Sequence, residues 1–145
     1  MGSGLKGKRA RVFLASKFGN TIVHIDGKNR GSAENIRAAL DKSLAKLQTD
    51  YIDLYQLHRP DYDTPIADTM GALEDLVTDG KIRYYGCSYF TGVQMQEAVD
   101  EAQRSGLRGF VTAQNAWNVL QRDIEPELVP VCEASGMTVL PYYPI

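Results

Sequence analysis

His58 closes the segment Tyr51-Ile-Asp-Leu-Tyr-Gln-Leu-His58-Arg-Pro-Asp61. Ile52, Leu54 and Leu57 make it read as a buried strand, and Pro60 cannot continue a ladder and biases Arg59 to extended geometry. His58 therefore sits at the strand's carboxyl end, where α/β sheets carry their chemistry and where histidine is enriched in function. Four further residues stand at or just past the ends of apolar runs: Lys17, Ser88, Gln114 and Tyr142. Taken singly, each has an ordinary reading: Lys17 as a solvated charge, Ser88 and Gln114 as caps or backbone partners, Tyr142 as packing. His24 and Asp26 would make a metal set with His58 and Asp61. Two histidines and loop carboxylates are too common to specify one, and no metal is expected. Cys87 and Cys132 are far apart and fit neither metal nor redox spacing, so free thiols in a reducing cytosol are expected.

The elements that must position these residues follow from pattern. Lys8-Arg-Ala-Arg11 is basic, and Val12-Phe-Leu-Ala15 reads as a first strand closing on Ser16-Lys17-Phe-Gly19. Turn formers fill residues 20–31, among them Asn20, Asp26-Gly27, Asn29 and Gly31. Ser32 is a natural N-cap with Glu34 in the first turn, and Ile36, Leu40, Leu44 and Leu47 follow at helical spacing to about Gln48. After the His58 strand, Thr64 and Pro65 start a helix buried through Ile66, Met70, Leu73 and Leu76, with Gly80 past its end. Ile82–Gly86 with Cys87 and Ser88 is a third strand. Thr91 caps a third helix whose shared face is Val93, Gln96, Val99 and Ala102, stopped at Gly106. Gly109–Ala113 is a fourth strand ending at Gln114-Asn115. A fourth helix runs from Glu125 to Ala134, where Pro130 either kinks it or marks its start. Met137–Leu140 is a fifth strand, running into Pro141-Tyr-Tyr-Pro144.

Strand and helix thus alternate four times before a last strand, with later repeats roughly 30 residues apart, the size of a βαβ unit. Right-handed crossovers make the sheet parallel. No glycine-rich phosphate turn follows any strand, which counts against a Rossmann or P-loop protein. Polar or aromatic residues at every strand end are how a (β/α) barrel presents a site, and a full barrel takes about 250 residues. The expected fold is α/β: one domain over residues 1–145, a partial (β/α)8 TIM barrel of about five parallel strands and four helices. Composition agrees, with 43% hydrophobic and 23% charged residues. A formal charge of −2 gives no electrostatic reason to expect nucleic acid or an anionic membrane as partner. There is no apolar run long enough to span a bilayer and no signal-like segment, so the expected location is cytoplasmic.

Several of these stretches resemble the aldo-keto reductases. They are Ala15-Ser-Lys-Phe-Gly19, the helix Leu40-Asp-Lys-Ser-Leu-Ala-Lys-Leu-Gln48, Asp50-Tyr-Ile-Asp-Leu-Tyr-Gln-Leu-His-Arg-Pro-Asp61, Gly80-Lys-Ile-Arg-Tyr-Tyr-Gly-Cys-Ser88 and the final Pro-Tyr-Tyr-Pro. The likeness covers nearly the whole chain, in order, and aligns it with the third to seventh strands of the family's barrel. It implies NADPH-dependent reduction of aldehydes or ketones to alcohols. Of the family's catalytic Asp, Tyr, Lys and His, it matches the lysine to Lys17 and the histidine to His58. The aspartate and proton-donating tyrosine fall upstream of the matched stretch, and Asp53, inside a strand, is not that aspartate. Ser88 and Gln114 match residues that hold the nicotinamide carboxamide, and Tyr142 matches the tyrosine that stacks on the ring. Tyr89 stands where asparagine is usual, and that contact is not carried over.

The chemistry explains these residue types. An alkoxide formed by hydride addition needs a proton, and a tyrosine is a poor donor unless a nearby ammonium tunes it. A neutral histidine orients the carbonyl by donating a hydrogen bond. The phosphate-gripping segments are not among the matched stretches, so NADP(H) binding is expected to be weak and these residues alone inactive. Tyr84, Tyr85 and Tyr89 follow the third-strand pattern, so none is expected to be well placed to replace the proton donor beside Lys17 and His58. Self-association through open sheet edges is also expected. The alternatives are a non-catalytic binding or regulatory protein of the same fold and a metal-dependent barrel hydrolase.

Overall fold

The run Ile52–Leu57 is buried at all six positions, its polar Asp53 and Gln56 included. It forms the second strand of a sheet in a computed structural model that describes residues 4, 7–20 and 29–144. The order is β1 (Ala15–Phe18), α1 (Ala33–Leu47), β2 (Ile52–Leu57), α2 (Ile66–Thr78), β3 (Ile82–Ser88), α3 (Gly92–Ser105), β4 (Thr112–Ala116), α4 (Leu128–Ala134) and β5 (Thr138–Tyr142), after a 3-10 turn at Arg9–Arg11. All strand pairs are parallel and in sequence order. Five strands and four helices alternate as in a partial (β/α) barrel, as the pattern predicts. Asp26 and Gly27, read as turn formers, lie outside the described residues. No helix among the described residues is long and apolar enough to cross a membrane.

The caps fall close to their predicted places. The Ser32 hydroxyl accepts from the Asn35 amide at 3.4 Å, and Thr91 and Gln94 form a reciprocal capping box at α3. Pro65, not Thr64, holds the cap position of α2, and the Thr64 hydroxyl donates to Asp61 at 2.7 Å. α4 starts at Leu128, so Pro130 falls in its first turn, where no intrahelical partner is lost.

Three strands are displaced from their predicted bounds. β1 begins at Ala15, leaving Val12 and Phe13 40% and 65% exposed despite their strand-forming character. Pairing starts only at Leu14, whose carbonyl accepts from Asp53 and Leu54. Gly109 has φ +80, which no extended strand accommodates, so β4 starts three residues later, at Thr112, and Gln114 lies within it. β5 likewise runs on through Pro141 to Tyr142. In α3 the buried stripe is Met95, Ala98 and Ala102, and Val93 is 66% exposed. Gly92 fixes that rotation: a Cβ there would lie 2.6 Å from Glu127 Cβ and 2.7 Å from its carbonyl carbon.

Register divides the sheet into two faces. Phe18, Tyr55, Leu57, Tyr85, Cys87 and Ala113 face the helices and join their apolar residues in one core. The other parity forms the inner face. There Gln56 on β2 reaches past Gly86 on β3 to donate to the Thr112 hydroxyl on β4 at 3.3 Å. The lower end of the sheet is tied by Asp53, whose side chain is 3% exposed. It accepts from Arg9 Nη2 at 2.7 Å and the Leu14 amide at 2.9 Å, and pairs with Arg83 at 3.1 Å. The same two guanidinium groups lie over the Tyr51 ring, 3.7 and 4.4 Å from its centroid.

β1 and β5 each pair on one side only among the described residues. Unpaired strand edges template further pairing. The chain is therefore expected to associate at micromolar concentration in sedimentation velocity. A single cooperative monomer across the concentration range would count against this.

Candidate active site

Side chains two apart on a strand share a face, so the register alone locates the candidate residues. Lys17 lies beside Gln56, and His58 is two residues on from Gln56. Gln56 lies beside Gly86, and Ser88 is two residues on from that. Ser88 lies beside Gln114, and Tyr142 lies beside Ala116, two residues past Gln114. All five residues therefore fall on the inner face, opposite the helix-packed core. Lys17 and Tyr142 lie within strands, not beyond their ends as the sequence suggests, and Gln114 is mid-strand.

His58 is half-buried, and its amide donates to the Phe18 carbonyl at 2.8 Å. Burial, then the charges of Lys17, Arg59 and Arg30, hold its pKa below the ordinary histidine value of 6.5. The imidazole is thus neutral near pH 7, able to donate one hydrogen bond without carrying charge. The unfolded chain binds a proton near pH 6.5 that the folded chain refuses, so stability should fall as pH drops from about 7.5 through 6.5. It should level off below the depressed folded value. Urea melts of the unaltered chain and of His58→Gln check this: the variant should lack that part of the slope. An NMR titration midpoint at or above 6.5 would contradict it.

The Ser88 hydroxyl donates to the Gln114 carbonyl at 2.6 Å, which spends its proton and leaves its oxygen free to accept. The Tyr89 amide donates to the same carbonyl at 3.1 Å. The Gln114 side-chain amide has no hydrogen-bond partner among the described residues, nor does Lys17 have a carboxylate partner there. The Tyr142 phenol is pushed up to about 12, by burial first and the hydrogen-bonding contact with Tyr89 second. Of the residues weighed for a metal, His24 and Asp26 lie outside the described residues. Asp61 accepts from the Gly31 and Asp63 amides and the Thr64 hydroxyl, which is a loop-holding role.

The contacts of one residue named from the sequence were not foreseen. Tyr89 lies with its ring centroid 6.3 Å from that of His58 and 5.3 Å from that of Tyr142, and the Arg59 guanidinium stands 4.3 Å above it. Of the three tyrosines not expected to replace the proton donor, Tyr89 therefore comes near His58, with its ring engaged by Tyr142 and Arg59. Tyr85 faces the helices and donates to Glu74 at 2.9 Å. Tyr84 is on the inner face but two rows below His58, beside Leu54. The available signal was a bulky residue immediately past a strand end, at a position that turns the chain.

A sequence profile described as the Aldo/keto reductase family matches residues 1–145. The chain belongs to the aldo/keto reductase family. Among curated relatives it is 37% identical over 139 residues to "Probable aldo-keto reductase 1" of Glycine max, covering 94% of this chain and 38% of that protein. It is 42% identical over 109 residues to "Norsolorinic acid reductase B" of Aspergillus parasiticus, covering 75% of this chain and 28% of the relative. For the protein of that name from Dothistroma septosporum the identity is 40% over 140 residues, with 92% and 36% covered. The chain therefore spans less than two fifths of the length of each of these relatives.

Proposed function

We propose that this chain carries part of the active site of a cytoplasmic, NADPH-dependent reductase of small-molecule aldehydes or ketones. The observation that carries the reading is the gathering of Lys17, a neutral His58, Ser88, Gln114 and Tyr142 on one sheet face. The donor set fits a nicotinamide. Gln114 offers an unengaged amide, Ser88 an oxygen that can still accept, and Tyr142 a half-buried aromatic ring. Ser88 and Gln114 would hold the carboxamide and Tyr142 the ring face. The cofactor, when bound, supplies the hydride. His58 would orient the substrate carbonyl by hydrogen bonding to its oxygen, and the Lys17 ammonium would favour negative charge developing there. The names of two relatives, reductases of norsolorinic acid, support a carbonyl substrate. Two buried free cysteines, Cys87 and Cys132, accord with a reducing compartment.

A second reading, a non-catalytic binding or regulatory protein of the same fold, is favoured by one observation: Lys17 lacks a carboxylate to tune it among the described residues. Both readings that keep the nucleotide predict NADPH binding. Titration of the chain into NADPH should raise nicotinamide fluorescence, with weak affinity because the phosphate-gripping segments of the family are unmatched. Gln114→Ala and Tyr142→Ala should each weaken binding about tenfold, the worth of one hydrogen bond or one aromatic contact. No fluorescence change at millimolar chain would defeat the cofactor reading.

A further inference from the structure

Tyr89 is the residue of this edge to which the family pattern gives no role, since it occupies an asparagine position. Its setting is nonetheless specific. Its φ is +61, in the left-handed region that bulky side chains rarely adopt. Its amide is tied to the Gln114 carbonyl at 3.1 Å, the oxygen that also takes the Ser88 hydroxyl. Strained backbone of this kind persists where surrounding contacts over-determine it, and it clusters at functional sites. The Tyr89 ring is held by three neighbours: the Arg59 guanidinium at 4.3 Å, Tyr142 at 5.3 Å and His58 at 6.3 Å between centroids.

Tyr142 lies near the end of the last strand and is followed by Tyr143, which is exposed and packs edge-on against it at 5.3 Å. A ring so placed serves as a platform only if its rotamer is fixed before the ligand arrives, because ordering it on binding subtracts from affinity. We propose that Tyr89 is a positioning residue that braces the Tyr142 ring as the nicotinamide platform, with Arg59 holding Tyr89 in turn. In this chain the residue after Ser88 thus acts on the cofactor through Tyr142 and not through an amide of its own. The inference rests on the cofactor reading given above. The raised Tyr142 phenol agrees with it, since contact with Tyr89 is its second cause after burial.

The test uses the full chain, NADPH as probe, and tyrosine labelled with carbon-13 at Cζ, the Tyr142 signal being assigned through Tyr142→Phe. Tyr89→Phe keeps the ring and the cation contact and removes only the hydroxyl. Tyr89→Leu removes all of them. Tyr89→Phe should lower the Tyr142 titration midpoint and weaken NADPH binding about threefold, and Tyr89→Leu should weaken it about tenfold. Arg59→Leu should fall between the two, and Arg59→Lys, which keeps a cation for the ring face, should recover part of the loss. A lowered Tyr142 midpoint with unchanged NADPH affinity overturns the proposal, because the contact would then position nothing. So do an unchanged midpoint and affinity in Tyr89→Leu. If the leucine chain loses its native circular dichroism, the phenylalanine chain decides. Absence of NADPH binding by the unaltered chain defeats the cofactor reading and this inference with it. Binding that is indifferent to Tyr89 defeats this inference alone.

Discussion

Given NADPH and an aromatic aldehyde, the purified chain is expected to consume nicotinamide absorbance no faster than a protein-free mixture. The inner face supplies a lysine and a neutral histidine, but the family's chemistry also needs a tyrosine acid and an aspartate, and the resemblance matches no residue here to either. Tyr89, the phenol whose ring neighbours His58, is engaged with Tyr142 and Arg59. Lys17 has no carboxylate to hold it among the described residues. Groups that act as a unit fail as a unit, and loss of one member commonly removes several orders of magnitude. Measurable turnover abolished by Lys17→Met or His58→Ala would show that these two residues retain more than this account allows. Turnover surviving both changes would place the chemistry elsewhere.

Asp53→Ala is expected to destabilise the chain by about 3 kcal/mol, the low end of what breaking a buried ion pair costs. Burial alone would push the Asp53 carboxyl up. The Leu14 amide and the charges of Arg9 and Arg83 outweigh it and hold the pKa below its ordinary value. Removing the carboxylate strands the Arg9 guanidinium, whose side chain is 16% exposed, and leaves the Leu14 amide without its acceptor. With a urea slope of about 2 kcal/mol per molar, the midpoint should drop by about 1.5 M. Because the folded pKa is depressed, the carboxylate's contribution is present above about pH 3.9 and is lost as pH falls through the folded value. The difference between the two chains should therefore narrow in acid. Equal midpoints at neutral pH would mean that the cluster is ornamental.

Much of this arrangement was legible in the sequence because its signals are local. Ser32 and Thr91 cap helices with their own hydroxyls, Gly80 and Gly106 end them through their backbone freedom, and the apolar run before His58 has one consistent interpretation. Strand ends were less legible. Val12 and Phe13 have sheet-forming side chains but are paired with no strand among the described residues, whereas Gln114 and Tyr142 are polar or amphipathic yet are paired by neighbours distant in sequence. Register, set by contacts and not by composition, decided those cases. The Arg9–Asp53 pair spans 44 residues, and no spacing rule announces it. The ring contacts of Tyr89 were not legible because its left-handed backbone turns the chain there, so it does not continue the alternation of Tyr84 and Tyr85.

Gly86 gives the face its shape by what it omits. A methyl group there would overlap the Thr112 side chain and lie 2.9 Å from the Thr112 carbonyl oxygen. Because nothing stands on β3 at that level, a side chain from β2 meets one from β4 directly, and three strands share a single link. The sheet can fold inward there without buckling, as close backbone approach at a strand glycine permits. The shape of the inner face at this level is therefore set by one missing carbon. Any side chain placed at Gly86 would have to displace Thr112 before it altered the residues above it.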